Sequence, residues 1–461
     1  MKNTFNNKNG LRREVGLTSA TVLVVANMVG TGVFTTSGFI LKELGSPQAL
    51  LLCWLLGGIF ALCGALCYGE LGARFPRAGG EYVFLKESFG KPVAFLSGWI
   101  SLFVGFSAPI AAAAIAFASY AQQAVALPLD SKWVISAFGM PLITLSWFNL
   151  IALCVIGLFT LIHYHGLRLG TKVQNWLTLF KISLIIAFLG TGFFFGQGSF
   201  DHFSASQGLA SSLSSEKFAV SLIFVSFAYS GWNAAAYLGG EIVRPQRTIP
   251  AALLIGTALV TLLYLLLNAL YLYAAPAATL AGELEIGATA AAALFGGQIS
   301  RLFSGAVALG LLSVVSAMVM AGPRIYYAMA KDGVFFSLFG RLNPLHHTPA
   351  SSIFLQAGIA AAMVLSASFE TLLIYIGFTL SLCAMLTVVG LMRIRRRDGK
   401  QEGMYQTFGY PLTPLLFIAG NCWIIFFSVT SRPIAVLVAL GTIAAGMAVY
   451  LFFAAATKKL P

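Results

Sequence analysis

Residues 27–34 read NMVGTGVF and residues 226–233 read SFAYSGWN. Both are glycine-punctured stretches inside long apolar runs. Glycine weakens a helix and lets backbone approach a ligand closely. In hydrocarbon, an unwound backbone survives only where it lines a cavity. Gly30-Thr31-Gly32 and Ser230-Gly231 fall five spans apart at corresponding places, with polar Asn27, Thr31, Ser230 and Asn233 alongside. Interrupted spans in matching positions of two halves point to an inverted-repeat transporter with its substrate site at the midplane. Close helix packing is the other use of such glycines, and their pairing with polar neighbours favours broken helices.

The composition around these stretches sets the class. Of 461 residues, 58% are apolar and 9% charged, whereas a soluble domain carries roughly a quarter charged residues. Splitting the apolar runs at charges and Pro/Gly breaks gives about twelve crossings of roughly 20 residues. They run over 18–41, 48–73, 93–126, 134–162, 172–196, 218–241, 250–275, 297–330, 350–367, 371–394, 411–430 and 434–456. We number them spans 1 to 12. Residues 1–17 are polar, with no apolar core of a cleavable signal. The fold class is therefore an all-α polytopic membrane protein.

The net charge of +13 is an orientation signal, and no basic stripe points to nucleic acid. With the N-terminus inside, 22 of the 28 basic residues fall on the cytoplasmic side. Five (Lys42, Lys132, Lys217, Arg301, Arg432) fall outside, and Lys181 lies within a span. The positive-inside rule places both termini, 1–17 and 457–461, in the cytoplasm. The six cysteines (Cys53, Cys63, Cys67, Cys154, Cys383, Cys422) sit in apolar runs without metal-ligand spacing, so free core thiols are expected, with no metal and no cofactor. An enzyme is disfavoured, for no HExxH and no in-span carboxylate pair is present. A channel is disfavoured by the lack of a pore loop. A secondary transporter leads, and an amino acid sensor that moves nothing is the alternative from another class.

Helix ends supply the chemistry. A half-helix starting after Gly32 aims free N–H groups and a positive dipole end at an anion. Half-helices ending near Met28 and Ala228 leave carbonyls for a cation. An α-amino acid carries both charges at that separation.

Six ordered motifs complete the pattern: GTGVF at 30–34, GELGARFPRAGGEY at 69–82, GTKVQNWLTLFK at 170–181, FAYSGWN at 227–233, EIVRPQRTIP at 241–250 and GPRIYYAMAKDG at 322–333. Over nearly its whole length the chain resembles the amino acid–polyamine–organocation superfamily, in the L-type amino acid transporter branch and its bacterial relatives. The resemblance implies a LeuT-type fold with broken helices 1 and 6. Spans 1–5 (18–196) and 6–10 (218–394) would be inverted repeats, with spans 11–12 (411–456) appended. It implies a permease for L-amino acids working by alternating access, with Met28, Gly30, Thr31, Gly32, Phe227, Ala228, Ser230 and Asn233 at the substrate.

Lys181 lies roughly 13 Å into span 5 at 1.5 Å per residue, and an ionisable group at that depth is functional by default. The resemblance implies that it occupies the place of a sodium ion, bridging carbonyls near Ala26 to a hydroxyl of span 8, either Ser313 or Ser316. Sodium-independent exchange follows if it stays charged, and proton-coupled symport if it releases a proton. The branch pattern makes Phe227 the aromatic gate over the substrate. Asn233 would hold the broken segment or the substrate, and Ser230 stands where the branch usually has glycine, narrowing the pocket. The absence of an acid in either break favours neutral amino acids. Glu70, Glu81, Glu241 and Asp332, beside Arg74, Arg77, Arg244, Arg247, Arg324 and Lys331, are either gating ion pairs or solvated charges. The run Arg393–Arg397 reads as a topology signal that also suits anionic lipid. The loop 127–133 holds no cysteine to tether an ancillary chain, so none is expected. A bacterial inner membrane is the expected location.

Overall fold

The computed structural model describes residues 13, 15–77, 79–125, 132–137, 140–204, 216–346 and 348–457. Of the expected terminal segments and the loop 127–133, residues 1–12, 14, 127–131 and 458–461 lie outside the described residues.

Among the described residues, nine single helices are long and apolar enough to cross a membrane. A tenth crossing is the pair Leu17–Met28 and Gly32–Leu44, bent by 41° at its break. The two remaining expected spans fall short of that length for different reasons. Span 6 stops as a helix after Glu216–Ala228 and continues in turns, and span 9 is the 17-residue helix Ala350–Ser366. The polytopic all-α fold is as the sequence implies.

Local chemistry sets the helix starts. Ser46, Ser146 and Ser368 each accept a hydrogen bond from the backbone N–H three residues on, at 3.4, 3.1 and 3.2 Å, the usual N-cap arrangement. Span 3 (Lys91–Val125) contains a π-helical stretch at Ser101–Ser107, a widening that recurs at functional sites.

One boundary moves. Span 4, expected from residue 134, begins at Trp147. Ahead of it Lys132–Ala137 and Met140–Ser146 pair as an antiparallel hairpin. Pro141 explains the shift, because inside a helix it would remove a backbone donor and clash with the preceding turn.

Two faces result. One, the basic face, carries Arg74, Lys86, Arg395 and Arg397; the other carries the hairpin, the Glu43–Arg432 ion pair and the helix Ile286–Phe295. Span 7 (Pro245–Ala274) packs along span 2 (Pro47–Arg74), and span 8 (Gly297–Lys331) along span 3. Spans 1 and 6 run between them.

Candidate functional site

The two breaks touch each other at the centre of the molecule. Gly231 holds φ at +95°, and a Cβ built on it would lie 2.8 Å from the Asn27 carbonyl oxygen. A side chain is therefore excluded twice, by conformation and by space. Gly32 packs directly on the Ala228 backbone, where a Cβ would also collide. Each glycine thus lets one broken helix meet the other. Helix resumes at Gly32 with no side-chain cap.

Lys181 reaches into the span 1 break from the side. It is wholly buried. Its Nζ donates to the carbonyls of Ala26, at 3.1 Å, and Val29, so the amine sits against the carbonyl end of Leu17–Met28. Its contact with span 8 differs from expectation. Ser313 Oγ donates to Gly310 O at 2.7 Å, and Ser316 Oγ lies 3.0 Å from His163 Nε2. Both hydroxyls are engaged elsewhere, and span 8 instead offers Gly310, against which the lysine stem packs.

The carbonyls expected to be free for a cation are also engaged. Tyr264 on span 7 places its hydroxyl 2.6 Å from Met28 O and 3.1 Å from Ala228 O. One phenol thus spans the ends of both interrupted helices. Four residues on, Asn268 Oδ1 accepts from Ser37 Oγ at 2.5 Å, and Tyr271 donates to Val33 O at 3.3 Å. Sequence reasoning passed over this stripe. Its signal was available as Tyr264, Asn268 and Tyr271 at i, i+4 and i+7, one polar face in an apolar helix. From span 3, Tyr120 donates to Phe34 O at 2.6 Å, and Gly282 N donates to Gly38 O at 2.7 Å. The Gly32–Leu44 half is thereby clamped on the side away from the basic face.

Towards the basic face the molecule is open. A cavity of about 1370 Å³ runs from the breaks to residues such as Val15, Arg324 and Asp332. That exceeds the roughly 300–1,000 Å³ of a closed small-molecule pocket, so it is an access route. Ala26, Ser230 and Asn233 line it, with Asn27 and Ser226. Met28, Gly30, Thr31, Gly32, Phe227 and Ala228 are buried and lie outside its lining. The Phe227 ring is packed in the core, 5% exposed.

Asn233 donates to Glu81 Oε1 at 3.0 Å, and the Tyr68 hydroxyl donates to the same oxygen at 2.6 Å. Burial pushes the Glu81 carboxyl above the usual carboxylate range, and those two hydrogen bonds pull against the rise. The other inner charges divide. Glu70 is buried and accepts from Arg74 Nε at 3.1 Å and bidentately from Arg395 at 2.8 and 2.6 Å. Thr407 adds its N–H and hydroxyl, each at 2.8 Å. Arg395, read from sequence as part of a topology signal, turns inward and also lies over the Tyr410 ring. Lys86 and Asp332 pair at the surface at 3.2 Å, and Arg77 and Glu87 form a second surface pair.

The profile of the amino acid permease family matches residues 15–456. The chain belongs to that family. This permease is 29% identical over 421 residues to the serine/threonine exchanger SteT of Bacillus subtilis, covering 90% of this chain and 91% of SteT. It is 28% identical over 431 residues to the human Asc-type amino acid transporter 1, covering 92% and 79% of the two chains. It is 28% identical over 444 residues to the mouse large neutral amino acids transporter small subunit 2, covering 95% and 81%. The permease is a multi-pass membrane protein and a secondary transporter of amino acids; its family is one of transporters, not enzymes.

Proposed function

We propose that this permease exchanges small neutral L-amino acids across the cytoplasmic membrane of a bacterium, without sodium and without an ancillary chain. The observation that carries the reading is the Lys181 ammonium on the Ala26 and Val29 carbonyls. A fixed positive charge there leaves no need of a metal cation to hold the carbonyl end of the first half-helix. The substrate carboxylate meets the N–H groups at Thr31 and Gly32, and its ammonium takes over carbonyls that Tyr264 now holds. Phe227 closes over the ligand, and Asn233 and Ser230 flank it. The first repeat covers 18–196 and the second 218–394. The excess of basic residues on one face supports a cytoplasmic placement of that face and of both termini, so the present form is inward-facing. The names of the relatives support serine and threonine first, and large neutral amino acids after them, as candidates.

Proteoliposomes supply the test. Labelled serine should enter vesicles preloaded with unlabelled amino acid in sodium-free buffer and should not accumulate in empty vesicles. Accumulation in empty vesicles under an imposed pH gradient would show proton symport, with Lys181 as its proton carrier. No entry under either condition would leave a sensor.

A further inference from the structure

Glu81 is only 6% exposed, yet no basic group stands within ion-pair distance of it among the described residues. A buried carboxyl without a cation is costly unless something else satisfies it. Both of its hydrogen bonds, from Tyr68 and Asn233, land on Oε1. Among the described residues Oε2 receives none, and Glu81 lines the cavity. The carboxyl is held from behind by one oxygen and presents the other to the access route. It cannot move independently of span 6, because Gly79 N donates to Tyr237 O at 3.0 Å and Asn233 ties the side chain to the break.

We propose that Glu81 Oε2 is a waypoint for the α-ammonium of the amino acid as it passes between the cavity and the broken helices. The proposal rests on the transport reading above and adds a binding group to the inner route. An ammonium on Oε2 supplies the missing counter-charge, and Asn233 and Ser230 line the same cavity. Neither break carries an acid of its own, which is the ground for expecting neutral substrates. This acid reaches the span 6 break from a helix 152 positions away in the chain.

Glu81→Gln is the discriminating variant. Glutamine keeps an Oε1 to accept from Tyr68 and Asn233, so a purely structural role survives it; only the charge offered to an ammonium is lost. With transporters reconstituted in one orientation, KM for serine is measured at each face. The expected result is a rise of about tenfold at the cavity face, the scale of one charge-assisted hydrogen bond, with the opposite face unchanged and Vmax retained. In the wild-type protein, acidifying the cavity face from about pH 7 to about pH 5 should raise KM as Glu81 takes up a proton. The variant should lose that dependence. Tyr68, Tyr237 and Cys383, which face Glu81 from spans 2, 6 and 10, stay neutral across that range. His163, Glu241, Asp332, Arg324 and Lys331 line the same cavity and remain in both proteins, so any pH dependence they cause persists in the variant. An unchanged KM at the cavity face in the variant, or an equal rise at both faces, overturns the proposal. If the variant does not fold, a flat wild-type KM between those pH values overturns it. Loss of exchange by the wild-type protein would instead overturn the transport reading.

Discussion

The two broken helices are built differently. In span 1 the helix stops at Met28, turns over three residues and resumes for the 13 residues Gly32–Leu44. In span 6 the helix stops at Ala228 and recovers only over Ala234–Tyr237 before further turns. Their anchors differ accordingly. Span 1 is held from outside itself, by Lys181 on one half, by Tyr264 at the end of that half, and by Tyr120 and Tyr271 on the other. The short segment of span 6 is held by the stretch before Glu81–Phe89, through Asn233–Glu81 and Tyr237–Gly79. A half-helix of thirteen residues moves as a rod, whereas a single turn follows whatever it is tied to. On the transport reading proposed above, opening and closing at the basic face would fall to the span 6 segment and its loop, with span 1 as a hinge pinned by Lys181.

Breaking the pin should have the largest effect. Lys181→Ala removes two charge-assisted hydrogen bonds at ~1.5–3 kcal/mol each, a loss on the order of 100-fold or more in exchange rate, with membrane insertion retained. Next comes Gly231→Ala, which forces a side chain into a positive-φ site against the Asn27 carbonyl. Strain of roughly 1–3 kcal/mol should appear as lower thermal stability in detergent and slower exchange. Tyr264→Phe keeps the ring and removes the hydroxyl shared by both breaks. It should slow exchange about tenfold for a net loss near 1.5 kcal/mol, and unaltered kinetics would show that the shared hydroxyl does not matter. The smallest effect is expected at Ser313→Ala, within about twofold, because that hydroxyl bonds only its own helix at Gly310. Ser316→Ala, which frees a buried His163 nitrogen, should cost more than Ser313→Ala. The reverse order would restore Ser313 as the partner of Lys181.

Much of this was legible in the chain because membranes amplify sequence signals. A glycine pair in an apolar run and a lone lysine deep in a span both stand out where nearly everything else is apolar, and Lys181 does meet Ala26 as the family resemblance implied. The partner serine was misjudged, since a hydroxyl on a helix finds a carbonyl of its own turn without help. Tyr264 is one of 15 tyrosines, and only its place in a polar stripe sets it apart. Glu81 and Asn233, and Glu70 and Arg395, meet across 152 and 325 residues, separations that no local pattern encodes. The hairpin before Trp147 was hidden by composition, for a strand and a buried helix are equally apolar over a short run.

On the proposed function, Lys181 takes the place of a coupling ion at the span 1 break. Counterflow of labelled serine in sodium-free proteoliposomes, run for the wild-type protein and Lys181→Ala at equal incorporation, tests it most directly. The account predicts saturable uptake by the wild-type protein only into preloaded vesicles, and uptake by the variant no faster than into protein-free vesicles. Undiminished uptake by the variant, or a wild-type protein that works only when sodium is added, would contradict it.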